Sequence, residues 1–234
     1  MTFLPVSPPR TNPADGPICA RVTGVVLAGG AGRRMGGVDK GLCLLDGQPL
    51  ALRTLQRLQR QVGAIAISAN RHHDIYAQWC ARVWPDDDRA TPAGPSANPV
   101  FDGPLAGVRI ALARSQTPLV QLAACDTPFF PNDLVATLHA AMDDTLDAVI
   151  PATIDEQGRR WTHPTFALLR RSLLPSLEAF LASGERKFML WLQAQRHTVC
   201  DLPDHAAFHN FNTPQDLADF ERDVTPAARP PAPA

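Results

Sequence analysis

The chain has 234 residues, 45% of them hydrophobic, and a formal net charge of −1. That length gives one α/β domain with a sizeable core. The near-neutral charge excludes a general nucleic-acid binder, and no apolar run reaches the length of a membrane span. The five cysteines are scattered and never fall in Cys-x-x-Cys spacing, which argues against a disulfide scaffold or a zinc ribbon. A cytoplasmic monomer with no nucleic-acid and no membrane partner is expected.

Residues 1–21 hold five of the 23 prolines and neither apolar periodicity nor a signal-peptide core, so they read as a disordered N-terminal extension. Val25-Val26-Leu27 then opens a buried parallel strand. A loop follows with five glycines in residues 29–37, together with Arg33 and Arg34, and Lys40 closes it. Glycines let a backbone approach a ligand closely, and successive N–H groups beside fixed positive charge suit a phosphate. A solvated turn is the plainer reading, but arginines among glycines directly after a buried strand favour phosphate. Neither common motif explains the loop. The P-loop pattern fails because Val38, not lysine, follows Gly37, and the dinucleotide pattern fails at Met35.

Residues 41–45 read as a strand ending in an Asp46-Gly47 turn, with Pro49 in the first turn of a helix. Leu52, Leu55, Leu58 and Val62 give that helix a core stripe, leaving Arg53, Arg57 and Arg60 outside. Residues 64–68 form a second strand, 75–80 a short helix and 82–84 a third strand. From Pro85 to Pro104 there is no apolar period, and an unstructured stretch of that length is usually functional. A helix over 105–114, a strand over 118–124, a helix from Asn132 or Asp133 to Met142 and a strand over 148–150 complete the first half. In the remainder, 157–160 reads as a turn, 163–169 as a strand, and 172–182 as a helix. A basic loop at 184–187, a helix to Gln195 and a late strand at 198–200 follow. The last helix is capped by Thr213 and Pro214, and 223–234 reads as a disordered tail.

Alternating strands and helices over the first 150 residues specify a parallel sheet with right-handed crossovers. The predicted class is α/β, a three-layer, doubly wound, mostly parallel sheet of Rossmann-like nucleotidyltransferase type. Ligands of such sheets bind beyond the carboxyl ends of the strands. That rule gathers the Gly-rich loop, residues 68–71, Asp86 and Asp126 to one edge. A carboxylate there, opposite a basic phosphate loop, suits magnesium–nucleotide chemistry, because Mg²⁺ takes one or two carboxylates plus phosphate oxygens. Asp126 is the best metal candidate and Asp86 the weaker one, while Lys40 and Arg34 would neutralise a leaving pyrophosphate. His72-His73 and the His205/His209 pair lack the further ligands of a tetrahedral zinc site. Cys125 reads as a small residue ending a buried strand rather than a nucleophile.

Leu27-Ala28-Gly29-Gly30-x-x-x-Arg34-Met35-Gly36-Gly37-Val38-Asp39-Lys40-Gly41 closely resembles the nucleotide signature of the molybdenum cofactor guanylyltransferases, the MobA proteins. The resemblance continues at Asn70-Arg71-His72 with Ile75-Tyr76, at residues 102–107 and at Cys125-Asp126-Thr127-Pro128. It recurs at His163-Pro164-Thr165, Gly184-Glu185-Arg186 and Asn210-x-Asn212-Thr213-Pro214, in family order over roughly residues 22 to 222. It implies one nucleotidyltransferase domain over 22–222, with a GTP-binding half (22–150) and a pterin-side half (151–222). The implied reaction joins GMP from GTP to molybdenum-bound molybdopterin and releases pyrophosphate, with Mg²⁺ required. The pterin's terminal phosphate is the nucleophile. Carried over by position, Leu27, Ala28 and Gly29 hold the nucleotide through their backbone, Lys40 contacts phosphate and Asp86 helps hold the nucleotide. Asp126 binds GTP and Mg²⁺. The family's asparagine at the second strand edge falls on Ser68, whose contact could pass to Asn70. Arg186, Lys187, Asn210 and Asn212 lie on the expected pterin side. Molybdenum cofactor delivery proteins and molybdoenzymes are the implied recipients of the product.

Two other functions fit the residues. A cytidylyl- or sugar-nucleotidyltransferase shares the fold, although CTP users tend to carry Leu-Ala-Ala-Gly where this chain has Leu-Ala-Gly-Gly. A GTP- or pterin-binding adaptor without turnover is the other, and it would have no need of both Lys40 and Asp126.

Overall fold

The structure, a computed structural model, describes residues 18–30, 38–85 and 103–224. Loop residues 31–37 with Arg33 and Arg34, the stretch 86–102 with Asp86, and most of the two expected tails lie outside the described residues. The first element among the described residues is a 3₁₀ turn, Ile18–Arg21, inside the span expected to be an extension.

Strand β1 (Val22–Leu27) is buried on both faces, as its run of valines requires. Residues 41–45 depart from the expected strand. Lys40–Leu42 is a 3₁₀ turn, because the Asp39 carboxylate accepts the Gly41 N–H and caps it. Only β2 (Leu44–Leu45) remains extended, in a small hairpin with β3 (Gln48–Pro49). Helix α1 (Leu50–Gln59) buries Leu50, Leu55 and Leu58 and leaves its arginines outward. Each such leucine contributes roughly 1.5–3 kcal/mol. The helix lies so near β1 that a Cβ on Gly24 would stand 2.7 Å from Leu58 Cδ2.

The chain continues through β4 (Ala64–Ser68), α2 (His73–Tyr76), β5 (Val83–Trp84), α3 (Pro104–Arg114), β6 (Leu119–Ala124), α4 (Leu134–Ala140) and β7 (Ala148–Ile154). Helix α2 sits two residues earlier than its expected start, following His72 in a left-handed conformation at φ 51°. The expected turn at 157–160 belongs to a hairpin that pairs β8 (Arg160–Thr162) with the end of β7. The expected single strand over 163–169 divides into a 3₁₀ turn, Pro164–Phe166, and β9 (Leu168–Arg170). Pro164 imposes the turn, since its ring fixes φ and removes a ladder donor. Helices α5 (Leu174–Ala182) and α6 (Phe188–Gln193), β10 (His197–Leu202) and α7 (Pro214–Val224) follow.

The large sheet runs β10–β7–β9–β6–β1–β4–β5, with β8 attached to β7. The pairs β5/β4, β4/β1, β1/β6 and β7/β10 are parallel, whereas β9 lies antiparallel between β6 and β7. Alternate residues divide between two cores. Val22, Val26, Leu119 and Ala123 face Leu55, Leu58 and Leu138 of α1 and α4, and Val25, Val120, Leu122 and Ile150 face Leu105, Val108, Leu177 and Trp191 of α3, α5 and α6. These are the three expected layers. The chain builds outward from β1 to β4 and β5, then returns through α3 to β6 on β1's other side. The loops after β1 and β6 therefore part at this switch point and leave a crevice.

Candidate active site

Four chain segments meet at that crevice. The loop after β1 is pinned by Ala28 N–H donating to the Ser68 carbonyl at 2.7 Å and Cys125 N–H donating to the Leu27 carbonyl at 3.2 Å. The segment after β4 reaches over it. Asn70 Nδ2 donates to the Gly29 carbonyl at 3.2 Å, and the Arg71 guanidinium to the Gly30 carbonyl at 3.3 Å. Of the two candidates there, Ser68 is fully buried and Asn70 is exposed.

Asp126 leaves the end of β6 on a turn braced from three directions. Buried Thr54 of α1 donates its hydroxyl to the Cys125 carbonyl at 3.3 Å, Thr127 N–H donates to the Ala124 carbonyl at 3.4 Å, and Phe211 N–H donates to the Asp126 carbonyl at 2.9 Å. The Asp126 carboxylate is left 20% exposed at the crevice rim. Lys40 approaches from the 3₁₀ turn, with Nζ 3.2 Å from Asp126 Oδ2 and 2.8 Å from Asn212 Oδ1. Next to it, the Thr127 hydroxyl donates to the Asn210 side-chain oxygen.

Asn212 is held by a reciprocal cap at the start of α7. Asp216 Oδ2 accepts from the N–H groups of Asn212 at 2.7 Å and Thr213 at 2.9 Å, and Asp216 N–H donates to the Thr213 hydroxyl at 3.1 Å. Its hydrogen bonds, first that with Thr213, hold the Asp216 carboxyl below its ordinary range. The Cys125 thiol, raised by burial and then by the Asp126 and Asp39 charges, stays protonated. It is no nucleophile.

Of the expected site residues, Lys40 meets Asp126, Leu27 is bonded to Cys125 beside it, and Ala28 and Gly29 are bonded to Ser68 and Asn70, while Arg34 and Asp86 lie outside the described residues. Asn212 joins Lys40 directly, a link between positions 172 apart that no local pattern announces. Arg186 donates to the Leu181 and Glu185 carbonyls at the end of α5. Sequence reading also missed the support: Thr54 under Cys125, Asp216 under Asn212, and Asp39 under Lys40. The histidines weighed for zinc have other contacts. His73 Nε2 bonds the Ala69 carbonyl, and His205 Nδ1 lies 2.8 Å from Thr153 Oγ1.

Among the described residues, no group of three or more His, Cys, Asp or Glu side chains gathers to hold a metal. One rim carboxylate with amide oxygens nearby suits an ion that arrives on phosphate groups, which is how Mg²⁺ usually binds.

A doubly wound sheet with Lys40 and Asp126 brought together at its switch point is the arrangement of a nucleotidyltransferase. Solved structures agree on the fold. Molybdopterin-guanine dinucleotide biosynthesis protein A from Archaeoglobus fulgidus superposes with a TM-score of 0.64 at 23% identity, covering 86% of this chain and 98% of that one. The 4-diphosphocytidyl-2C-methyl-D-erythritol synthase of Anaerococcus prevotii gives 0.63 at 15% identity, covering 88% and 98%. The model of the MobA-like NTP transferase domain matches residues 24–199, and the chain belongs to that family. The molybdenum cofactor guanylyltransferase of Burkholderia vietnamiensis is 46% identical over 206 residues, 86% of this chain and 96% of that protein. No helix among the described residues is long and apolar enough to cross a membrane.

Proposed function

We propose that this protein transfers GMP from GTP to the terminal phosphate of molybdenum-bound molybdopterin, giving the guanine dinucleotide cofactor and pyrophosphate. The observation that carries the reading is Lys40 set between Asp126 and Asn212, 3.2 and 2.8 Å from their oxygens, with Cys125 next to Asp126 bonded to the Leu27 carbonyl. The β1 side of the crevice takes the nucleotide, with Leu27, Ala28 and Gly29 contacting it through their backbone. Asn70 supplies the side-chain amide on the β4 side, because Ser68 is buried. Asn210 and Asn212 mark the pterin side.

A pterin phosphate oxygen attacks the α-phosphorus of GTP, a new P–O bond forms, and the bond to the β-phosphate oxygen breaks. The electron pair leaves with pyrophosphate, so the protein needs no nucleophile of its own. Its residues orient the two phosphates and supply charge. Lys40 exchanges Asp126 for phosphate oxygens when nucleotide enters, with Arg34 adding charge from the Gly-rich loop and Asp86 helping to hold the nucleotide. Asp126 would hold Mg²⁺, which when bound offsets phosphate charge and aligns the groups for in-line displacement. GTP as donor places the reaction in the cytoplasm.

The test is pyrophosphate release from GTP, CTP or ATP in the presence of Mg²⁺ and molybdopterin. GTP alone should be productive. Turnover with CTP but not GTP would replace the guanylyl reading with a cytidylyl one, and GTP binding without turnover would make the protein an adaptor.

A further inference from the structure

Lys40 works only if its turn is held, and the turn has an unusual foundation. Asp39, immediately before Lys40, is 5% exposed, although a buried carboxylate is costly unless hydrogen-bonded. Its Oδ1 accepts from two donors, the Gly41 N–H at 3.1 Å and the Tyr76 hydroxyl at 2.9 Å. Tyr76 is itself fully buried, at the end of α2, with its ring edge-on to Trp79 at 5.6 Å. Burial and then the charges near it, Asp39 among them, raise its phenol well above the ordinary range, so it remains a donor. Gly41 completes the arrangement, since a Cβ there would collide with the Tyr76 hydroxyl and stand 3.0 Å from Ala51 Cβ. A capping bond alone would not require a buried tyrosine from a distant element.

Helix α2 directly follows the segment in which Asn70 and Arg71 bind the Gly29 and Gly30 carbonyls. The phenol therefore ties the rim that covers the β1 loop to the turn that aims Lys40.

We propose that Asp39 and Tyr76 form a positioning clamp that fixes Lys40 between Asp126 and Asn212, coupling the nucleotide rim to the phosphate-binding lysine. The clamp touches no substrate. It sets the direction of an ammonium whose misplacement by an ångström would cost about 100-fold in rate. This inference rests on the proposed phosphate role of Lys40, and its test separates the two.

Lys40 and Lys187 are the only lysines in the sequence, so ¹³C-lysine labelling reports on Lys40 against an internal reference. In Tyr76→Phe, which keeps the ring, and in Asp39→Asn, the Lys40 signal should move towards free-lysine values while Lys187 stays fixed. An unmoved Lys40 signal in both variants overturns the clamp whatever the enzyme does. In turnover, Tyr76→Phe should lower kcat about 10- to 100-fold with the GTP KM changed less than about twofold. Adding it to Lys40→Ala should lower the rate no further, since a clamp can act only through the lysine. Additive losses, or a loss of melting temperature with kcat unchanged, would make the pair merely structural. A wild-type chain that releases no pyrophosphate from GTP, with the Lys40 signal behaving as expected, would sink the guanylyltransferase reading and leave the clamp standing.

Discussion

Lys40 Nζ stands 3.2 Å from Asp126 Oδ2, with both side chains about one-fifth exposed, at 23% and 20%. A pair that accessible to water is worth only about 0–1 kcal/mol. Either partner can exchange the other for a ligand at little cost. The contact therefore does not lock either group, which is what the proposed roles, Lys40 on phosphate and Asp126 on a phosphate-borne cation, require.

Removing the carboxylate tests that division. Asp126→Ala should lower Mg²⁺-dependent pyrophosphate release about 100- to 1,000-fold or more. The melting curve should change little, because the backbone of the turn is held by the Thr54 hydroxyl and the Phe211 N–H rather than by the carboxylate. Wild-type turnover in this variant would remove Asp126 from the metal's path.

Removing the ammonium should act on the rate too. Lys40→Ala should slow turnover by about 100-fold through lost charge stabilisation. Lys40→Arg should rescue little of it, since a planar guanidinium does not replace a point charge seated between Asp126 and Asn212. Single-turnover rates measured at saturating GTP decide this, and an unchanged rate takes Lys40 out of the chemistry.

The β4 edge offers a comparison within one segment. Asn70→Ala should raise the GTP KM about 3- to 10-fold, the loss of one hydrogen bond, with kcat kept. Ser68→Ala, at a fully buried position, should leave the KM near wild type. The reverse ranking would return the contact to Ser68.

A pH prediction comes from the second half. The Thr153 hydroxyl lies 2.8 Å from both His163 Nε2 and His205 Nδ1, and the His163 ring stacks on Phe208 at 4.1 Å. Burial, then the neighbouring His205, lowers the His163 pKa from 6.5 to about 4. The unfolded chain therefore binds more protons than the folded one between those values, and folding stability should fall as pH drops from 6.5 towards 4. The depressed carboxylates Asp143, Asp147 and Asp216 act lower, losing their contribution as pH falls below the ordinary 3.8. Thermal melts across that range should show the slope in the wild type and a flatter one in His163→Gln. Equal slopes would remove His163 as its source.

What the sequence made legible was what depends on local pattern. The apolar runs of β1, β4 and β6 and the stripe of α1 were readable because buried strands and amphipathic helices carry their own periodicity. The 3₁₀ turns Lys40–Leu42 and Pro164–Phe166 were not, because three residues make no period and their causes are an aspartate cap at Asp39 and a proline at Pro164. Lys40 and Asp126 were readable as chemistry at strand ends. Their partner Asn212 was placed on the pterin side, and only the folded chain puts it against the lysine. Tyr76 looked like an ordinary member of a motif, since nothing near it in sequence says that its hydroxyl would find Asp39.

The reversed strand β9 has a consequence for the edge of the sheet that carries Asp126. Parallel strands can bring to the active edge only the residues with which they end. A strand running the other way brings the residues that precede it, so His163 and the Pro164–Phe166 turn arrive at the same edge as Asp126. One inverted neighbour lets incoming as well as outgoing backbone furnish that edge, and the chain beyond residue 150 has a source of side chains there that a uniformly parallel sheet would have directed to the opposite side of the molecule.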